Sequence, residues 1–307
     1  MTSTKKWFVV INPTSGNNSA KKLWPKIKQL LITYLFDFEY AFTEYEKHSF
    51  VLVQNAINQG FANIISVGGD GTLHNIVNGI MSQDTVVSTN ISVGVIPIGT
   101  GNDWVKTYGI PKDIESAIQI IKNGNTKQQD IGKIELLDQD NLPIYFNNLA
   151  GVGFDGFVVN KVGKYKHFGA LAYLIGTVMG LFAFKNFVVE LSLNTETITT
   201  KSLMILIGLC KYSGGGMQLT KTPHPSDGLF DITLAGDFNK WDIVKNIFKL
   251  FNGTIVNFKK VQTIKTKSIT IKILQEDKPF IQADGELIGV GDFKVSILQN
   301  AFSFYCK

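Results

Sequence analysis

The chain has 307 residues, more than one hydrophobic core usually accommodates, so two domains are expected, each large enough to fold without a disulfide or metal staple. Its formal charge of +5 rests on 30 basic residues, every one a lysine. Bidentate arginine clamps on phosphate are thereby excluded, and lysines scattered without a nucleic-acid-binding motif argue against an RNA or DNA partner.

In chain order, Met1–Lys6 leads into the apolar run Trp7–Ile11, which Asn12 and Pro13 end too early for a signal-peptide core, so a cytoplasmic location is expected. The segments Ala20–Tyr34, Phe36–Thr43, Phe50–Gln59, Ile64–Val67, Leu73–Met81, Ile91–Ile96 and Ile114–Lys122 alternate helical three- and four-residue spacing with short apolar runs. That alternation predicts a doubly wound α/β domain over residues 1–128. After a short hinge near Gln128–Ile131, strand-like runs follow at Lys133–Leu137, Tyr145–Leu149, Val188–Leu193, Ser202–Leu209, Phe230–Leu234 and Ile269–Leu274. They predict a β-rich second domain over 129–294, with a C-terminal segment from about 295 to 307 as a candidate return to the first domain.

Two helical segments interrupt the β pattern. Phe168–Phe184 carries no charge and matches the shortest membrane-spanning helices in length, but Gly169, Gly176, Thr177 and Gly180 break it up. We read it as a helix buried against the protein or facing lipid. Trp241–Phe251 is amphipathic, and core packing accounts for its stripe of Trp241, Val244, Ile247, Phe248 and Phe251. Cys210 and Cys306 match no metal-ligand spacing and are read as buried or inert in a reducing compartment. His48, His74, His167 and His224 form no metal pattern and are expected at the surface or in loops.

Chemistry concentrates in three turns that follow predicted strands: Asn12–Gly16, Gly68–Thr72 and Pro97–Asp103. Ligands of open α/β sheets bind at this edge, where glycines admit an anion and free helix-start N–H groups face it. Asp70 within the glycine loop would repel phosphate unless it handled a metal ion or a proton. Taken alone, Gly68–Thr72 is explained equally well as a glycine-rich turn. No Walker loop occurs. Gly151–Gly156 has the Gly-x-Gly-x-x-Gly spacing of a dinucleotide site but lies in the β-rich half, and Gly214–Gly216 is read as a tight bend.

Together with Val77-Asn78-Gly79, Asp130-Ile131-Gly132, Ser226–Phe230 and Asp284-Gly285-Glu286, these turns stand in the order found in the diacylglycerol and sphingosine kinase family, which the chain resembles over nearly its whole length. The resemblance implies an NAD-kinase-like nucleotide domain followed by a β-rich sandwich domain. It implies ATP contacts from Asn12, Pro13, Thr14, Ser15, Gly16, Thr43, Gly68, Gly69, Asp70, Gly71, Thr72, Leu73, His74, Asn75, Thr100 and Asn102, with Asp70 beside the phosphates and metal. Glu286 becomes the base that takes the substrate hydroxyl proton. Asp227 becomes a ligand of a second Mg²⁺, completed by carbonyls of His224 and Leu229, although without the resemblance Asp227-Gly228 reads equally well as a hairpin turn before Phe230–Leu234. The expected activity is ATP- and Mg²⁺-dependent phosphorylation of a lipid bearing a free hydroxyl, diacylglycerol or a relative, with ATP in a cleft between domains and Phe168–Phe184 as acyl wall or membrane contact. Peripheral membrane association follows, and a homodimer is compatible. Asn75 stands where the family commonly has glutamate, and Lys106 where a basic residue is usual. The alternatives are an NAD kinase, or a nucleotide-binding regulatory protein without catalysis.

Overall fold

Apolar runs buried on both faces make central strands of a covered sheet, and the chain opens with one. In β1 (Lys6–Ile11), Trp7 to Ile11 are all buried, and the strand pairs in parallel with β2 (Asp37–Phe42) on one side and β3 (Asn63–Gly68) on the other. β3 in turn pairs in parallel with β4 (Ser92–Pro97). The intervening helices are α1 (Ser15–Thr33), α2 (His48–Asn58), α3 (Asp70–Met81), α4 (Asp103–Thr107) and α5 (Ile114–Asn123). Trp24, Ile27 and Leu31 of α1 and Ile118 and Ile121 of α5 share a core with Val9, Ile11, Val67 and Ile96. This computed structural model describes residues 5–139, 141–162, 184–193 and 196–307. The chain divides into two units, Met1–Ile131 with Gln299–Lys307, and Gly132–Leu298.

β5 (Thr126–Leu136) carries the chain into the second unit, which is an antiparallel β sandwich. Its elements are β6 (Ile144–Phe146), β7 (Leu149–Gly153), α6 (Phe154–Val162), β8 (Phe187–Ser192), β9 (Thr197–Ser202), β10 (Met204–Gly208), β11 (Phe230–Ala235), α7 (Lys240–Asn246), α8 (Lys249–Asn252), β12 (Val261–Thr266), β13 (Ser268–Ile273), β14 (Phe280–Ala283), β15 (Glu286–Val290) and β16 (Phe293–Tyr305). One sheet runs β12-β11-β10-β7-β14-β15, while β13 pairs with β16 and β8, and β8 with β9. The far end of β16 belongs to the first unit, where Ser303 and Phe304 pair in parallel with Ser92 and Val93 of β4. Buried Asp130 accepts the Asn300 N–H at 2.7 Å, where the strand passes through a left-handed residue (φ 52°).

The predicted α/β-then-β order holds, with three corrections. The strand predicted over Tyr145–Leu149 breaks at Asn147–Asn148, between β6 and β7. His74 is buried within α3 rather than exposed, with Asn78 Nδ2 3.3 Å from its Nε2. The stripe on α7 and α8 is not core packing: Trp241 is 72% exposed and Phe248 83%, while Ile243 and Leu250 face inward. Of the uncharged segment Phe168–Phe184, residues 168–183 lie outside the described residues, as does His167. Both cysteines are buried, and burial raises the Cys306 thiol pKa.

Candidate active site

In the first unit the three turns after β1, β3 and β4 are tied together. Asn12 Nδ2 donates to Thr72 Oγ1 at 3.1 Å, Ser15 Oγ lies 3.5 Å from the same hydroxyl, and Asn12 N donates to the Val67 carbonyl at 3.0 Å. Thr14 is fixed through its hydroxyl on Asn12 Oδ1 (2.8 Å), and Thr43 N bonds the Ile11 carbonyl at 2.8 Å. The third turn joins through Ile98 N on the Gly68 carbonyl (2.8 Å). There a Cβ on Gly99 would come within 2.8 Å of Gly69 Cα, so only glycine permits the approach. Gly16, Asn17 and Asn18 are all left-handed (φ 57–65°), so α1 becomes regular only beyond Asn18.

Asp70 opens α3, and its carboxylate caps α4: Oδ2 accepts Asp103 N at 3.1 Å and Oδ1 accepts Trp104 N at 3.3 Å. An acid in a glycine-rich turn thereby gains a positional role, because a carboxylate at a helix start satisfies orphan amides. Trp104 locks α4 from below, its indole N–H on Gln129 Oε1 at 2.7 Å and its ring 4.9 Å from that of Phe304. Lys106 pairs with Asp103 at 2.7 Å. Leu73 and His74 are buried on α3, so only their backbone can face a ligand; Asn75 is half-buried and Thr100 exposed. Beside the turns lies an open cavity of about 340 Å³, lined among others by Gly16, Asn17, Gly99, Thr100, Asn102 and Lys112.

The second unit holds Glu286. Asp284 (φ 51°) and Gly285 (φ 85°) form a two-residue turn between β14 and β15, the left-handed pair that a tight hairpin requires. The Asp284 carboxylate accepts N–H groups from Asn147 (3.0 Å), Asn148 (2.9 Å) and Leu149 (3.1 Å), which is why the predicted strand breaks there. Gly285 N donates to Gln282 Oε1 at 2.9 Å, and Gln282 Nε2 donates to Asp155 Oδ2 at 2.9 Å. Glu286 is half-buried at the start of β15, and its carboxylate has no hydrogen-bond or ion-pair partner among the described residues.

Asp155 is half-buried with its carboxyl Oδ1 shut off from water, and desolvation pushes its pKa up to about 7 despite the Gln282 hydrogen bond. The glycines around it make room: a Cβ on Gly151 would lie 2.1 Å from Asp155 Oδ2, and one on Gly156 2.1 Å from the Phe280 carbonyl. The dinucleotide-like spacing is thus the packing of α6 on β7 and β14. Because the folded-state pKa is raised, the stabilising contribution of Asp155 is complete below the unfolded value of 3.8 and is lost as pH rises through about 7. Urea unfolding should therefore show stability falling between about pH 4 and 8, and Asp155→Asn should flatten that fall. At pH 8 the variant should gain on the order of 2–4 kcal/mol. A wild-type profile already flat across that window contradicts the assignment.

At Asp227 a cation is already in place. Asp227 Oδ1 accepts Leu229 N at 3.0 Å and Asp227 N donates to the His224 carbonyl at 3.3 Å, so the three residues share one turn. Lys265 Nζ then lies 3.2 Å from Asp227 Oδ2 and 3.4 Å from Asp231 Oδ2, and these acids raise its pKa against desolvation. As arranged, a lysine ammonium sits on the Asp227 oxygen that an ion would use, so a divalent ion held there by Asp227 and backbone carbonyls would have to displace Lys265. Among the described residues no group of three His, Cys, Asp or Glu side chains could hold a metal.

Sequence reasoning missed Lys112, Asp155, Gln282 and Lys265. For Asp155 a signal existed, a lone acid inside an apolar and glycine run. For the others, only tertiary proximity reveals them.

Residues 6–134 match the family described as the diacylglycerol kinase catalytic domain, and residues 148–306 match the YegS C-terminal NAD kinase beta sandwich-like domain. A diacylglycerol kinase of Bacillus subtilis (strain 168) is 28% identical over 301 residues, covering 94% of this chain and 93% of its own. One of Mycobacterium tuberculosis (strain ATCC 25618 / H37Rv) is 28% identical over 224 residues, 72% of this chain and 70% of its own. The crystal structure of a diacylglycerol kinase from Bacillus anthracis str. Sterne superposes with a TM-score of 0.75 at 20% identity, over 100% of this chain and 98% of that one, a likeness of fold.

Proposed function

The chain belongs to the diacylglycerol kinase catalytic-domain family and carries a YegS-type C-terminal NAD kinase beta sandwich-like domain, and on that premise we propose that it is a lipid kinase that transfers the γ-phosphate of ATP to a free hydroxyl of diacylglycerol or a related lipid. The observation that carries this reading is the mutual locking of three hydroxyl- and amide-rich turns around Thr72. Such a cluster holds backbone donors rigid without arginine, and phosphoryl transfer depends chiefly on positioning and preorganised dipoles. Mg²⁺ arrives as part of the nucleotide substrate, and no step is assigned to an ion at Asp227.

In this reading Asn12 to Gly16, Thr43, Gly68 to Asn75, Thr100 and Asn102 cradle ATP, with Asp70 fixing the third turn beside the phosphates. The Glu286 carboxylate accepts the lipid hydroxyl proton, the alcohol oxygen bonds to the γ-phosphorus, and the bond to the β–γ bridging oxygen breaks to release ADP. Lys112, exposed at the cavity rim, adds charge attraction. Lys112→Gln should raise KM for ATP roughly threefold to fivefold with kcat unchanged, as befits a rim charge worth about 1 kcal/mol or less. An unchanged KM removes Lys112 from the site.

The deciding experiment incubates purified protein with γ-labelled ATP, Mg²⁺ and a total lipid extract, with NAD⁺ in a parallel reaction. A labelled phospholipid supports the proposal. Label on NAD⁺ alone, or on nothing while ATP still binds, replaces it with one of the alternatives.

A further inference from the structure

The exposed aromatics of α7 and α8 ask for an occupant. Trp241 (72%), Val244 (41%), Phe248 (83%) and Phe251 (46%) are exposed within eleven residues. Their spacing of three, four and three places them on one helical face, because the backbone stays right-handed helical through Ile247 and Phe248 between the two helices. Other large exposed apolar side chains fall in smaller groups, such as Ile32 with Leu35 and Val86 with Val87.

The helix cannot turn this face inward. Its start is fixed by a capping box between Asn239 and Asp242, and Lys260 Nζ holds Asp242 Oδ2 at 2.6 Å. Its opposite face is committed to the second unit's core: Ile243 and Leu250 pack with Phe238 and Ile255, and Asn246 is buried. Gln218 N bonds the Leu250 carbonyl at 2.7 Å and Gln218 Nε2 the Phe251 carbonyl at 3.0 Å.

Charge identifies the occupant. Residues 240–260 carry Lys240, Lys245, Lys249, Lys259 and Lys260 against one acid, Asp242, which is four of the five net positive charges of the chain. An aromatic stripe flanked by lysines on a helix lying along a surface is the pattern that seats in the headgroup region of a bilayer. No described helix is long and apolar enough to cross one. A symmetric pair of copies over this face would instead oppose lysine to lysine.

We propose that the outward face of α7 and α8 is a docking surface for an anionic lipid bilayer. Its use to an enzyme that must reach a lipid rests on the kinase reading; the surface itself rests on exposure and charge.

The test uses the full chain and its own tryptophans, since Trp7, Trp24 and Trp104 are buried and only Trp241 is exposed. Vesicles of phosphatidylcholine containing one-third phosphatidylglycerol should shift Trp241 emission to the blue, and bromine-labelled acyl chains should quench it. Vesicles of phosphatidylcholine alone should do neither. Trp241→Ser with Phe248→Ser should weaken vesicle partitioning about tenfold or more. Lys245→Gln and Lys249→Gln should each weaken it roughly fivefold on anionic vesicles. Emission indifferent to vesicles, or equal partitioning onto neutral and anionic ones, overturns the proposal. So does a blue shift that grows with protein concentration without lipid as the protein sediments as a dimer, since a second copy then covers the face.

A short-chain diacylglycerol dissolved as monomers separates the two readings. The serine double variant should phosphorylate it at the wild-type rate while losing activity on vesicle-borne diacylglycerol. Vesicle binding with no phosphorylation of either substrate or of any component of the total lipid extract ends the kinase reading alone, and phosphorylation without vesicle binding ends the docking surface alone.

Discussion

Glu286→Gln is expected to reduce turnover about 10²–10⁴-fold with nucleotide affinity unchanged, the loss typical of removing a positioned general base. Glutamine keeps the shape and half-burial of the side chain but cannot accept the hydroxyl proton. The hairpin should be undisturbed, because it is held by Asp284 and Gln282, and Glu286 itself has no side-chain partner among the described residues. Steady-state kcat beside a directly measured ATP Kd checks the prediction. If both worsen by the same factor, Glu286 belongs to binding and not to proton transfer.

The second large effect is on folding. Asp284→Ala should destabilise the second unit by about 3–5 kcal/mol, since one carboxylate serves three backbone donors at 2.9–3.1 Å. Hydrogen bonds to a charged acceptor contribute about 1.5–3 kcal/mol each, and shared acceptors are less than additive. Alanine also fits the left-handed backbone at φ 51° poorly, whereas asparagine tolerates it. Asp284→Asn should therefore lose less, keeping the turn and an acceptor oxygen while losing the charge. Urea unfolding at fixed pH ranks the two variants. A cost under about 1 kcal/mol for alanine would mean that water replaces the carboxylate at those amides.

Much of this architecture was legible from local patterns because its determinants are local. Alternation of apolar runs with helical spacing located β1 to β4 and the helices between them, and the turn residues after β1, β3 and β4 follow the strands as read. What escaped depends on partners far away in sequence. Asn147 and Asn148 lie in a run that looks like uninterrupted strand, and the residue that breaks it is Asp284, 137 and 136 positions on. The α7–α8 stripe shows the reverse failure. Its periodicity was real, but periodicity fixes that apolar residues share a face and not that the face points inward; Ile243, Leu250 and buried Asn246 took that side. Asp227 looked like either a hairpin turn or an ion ligand, and the lysine that sits on it, Lys265, enters from β12 through pairing that no spacing rule reveals.

β16 has a bearing on how the protein is made. The parallel sheet beginning at β1 takes a neighbouring strand for β4 from residues 299–307, yet the ribosome emits 167 residues of the other unit in between. At roughly 5–20 residues per second, that delay is on the order of 10–30 s. Throughout it, the open flank of β4 lacks its intended neighbour, and Trp104 lacks Phe304 to pack against. Nascent chains stalled before residue 299 should accordingly be captured by chaperones and cleaved readily within their first 131 residues, and release of the finished chain should abolish both.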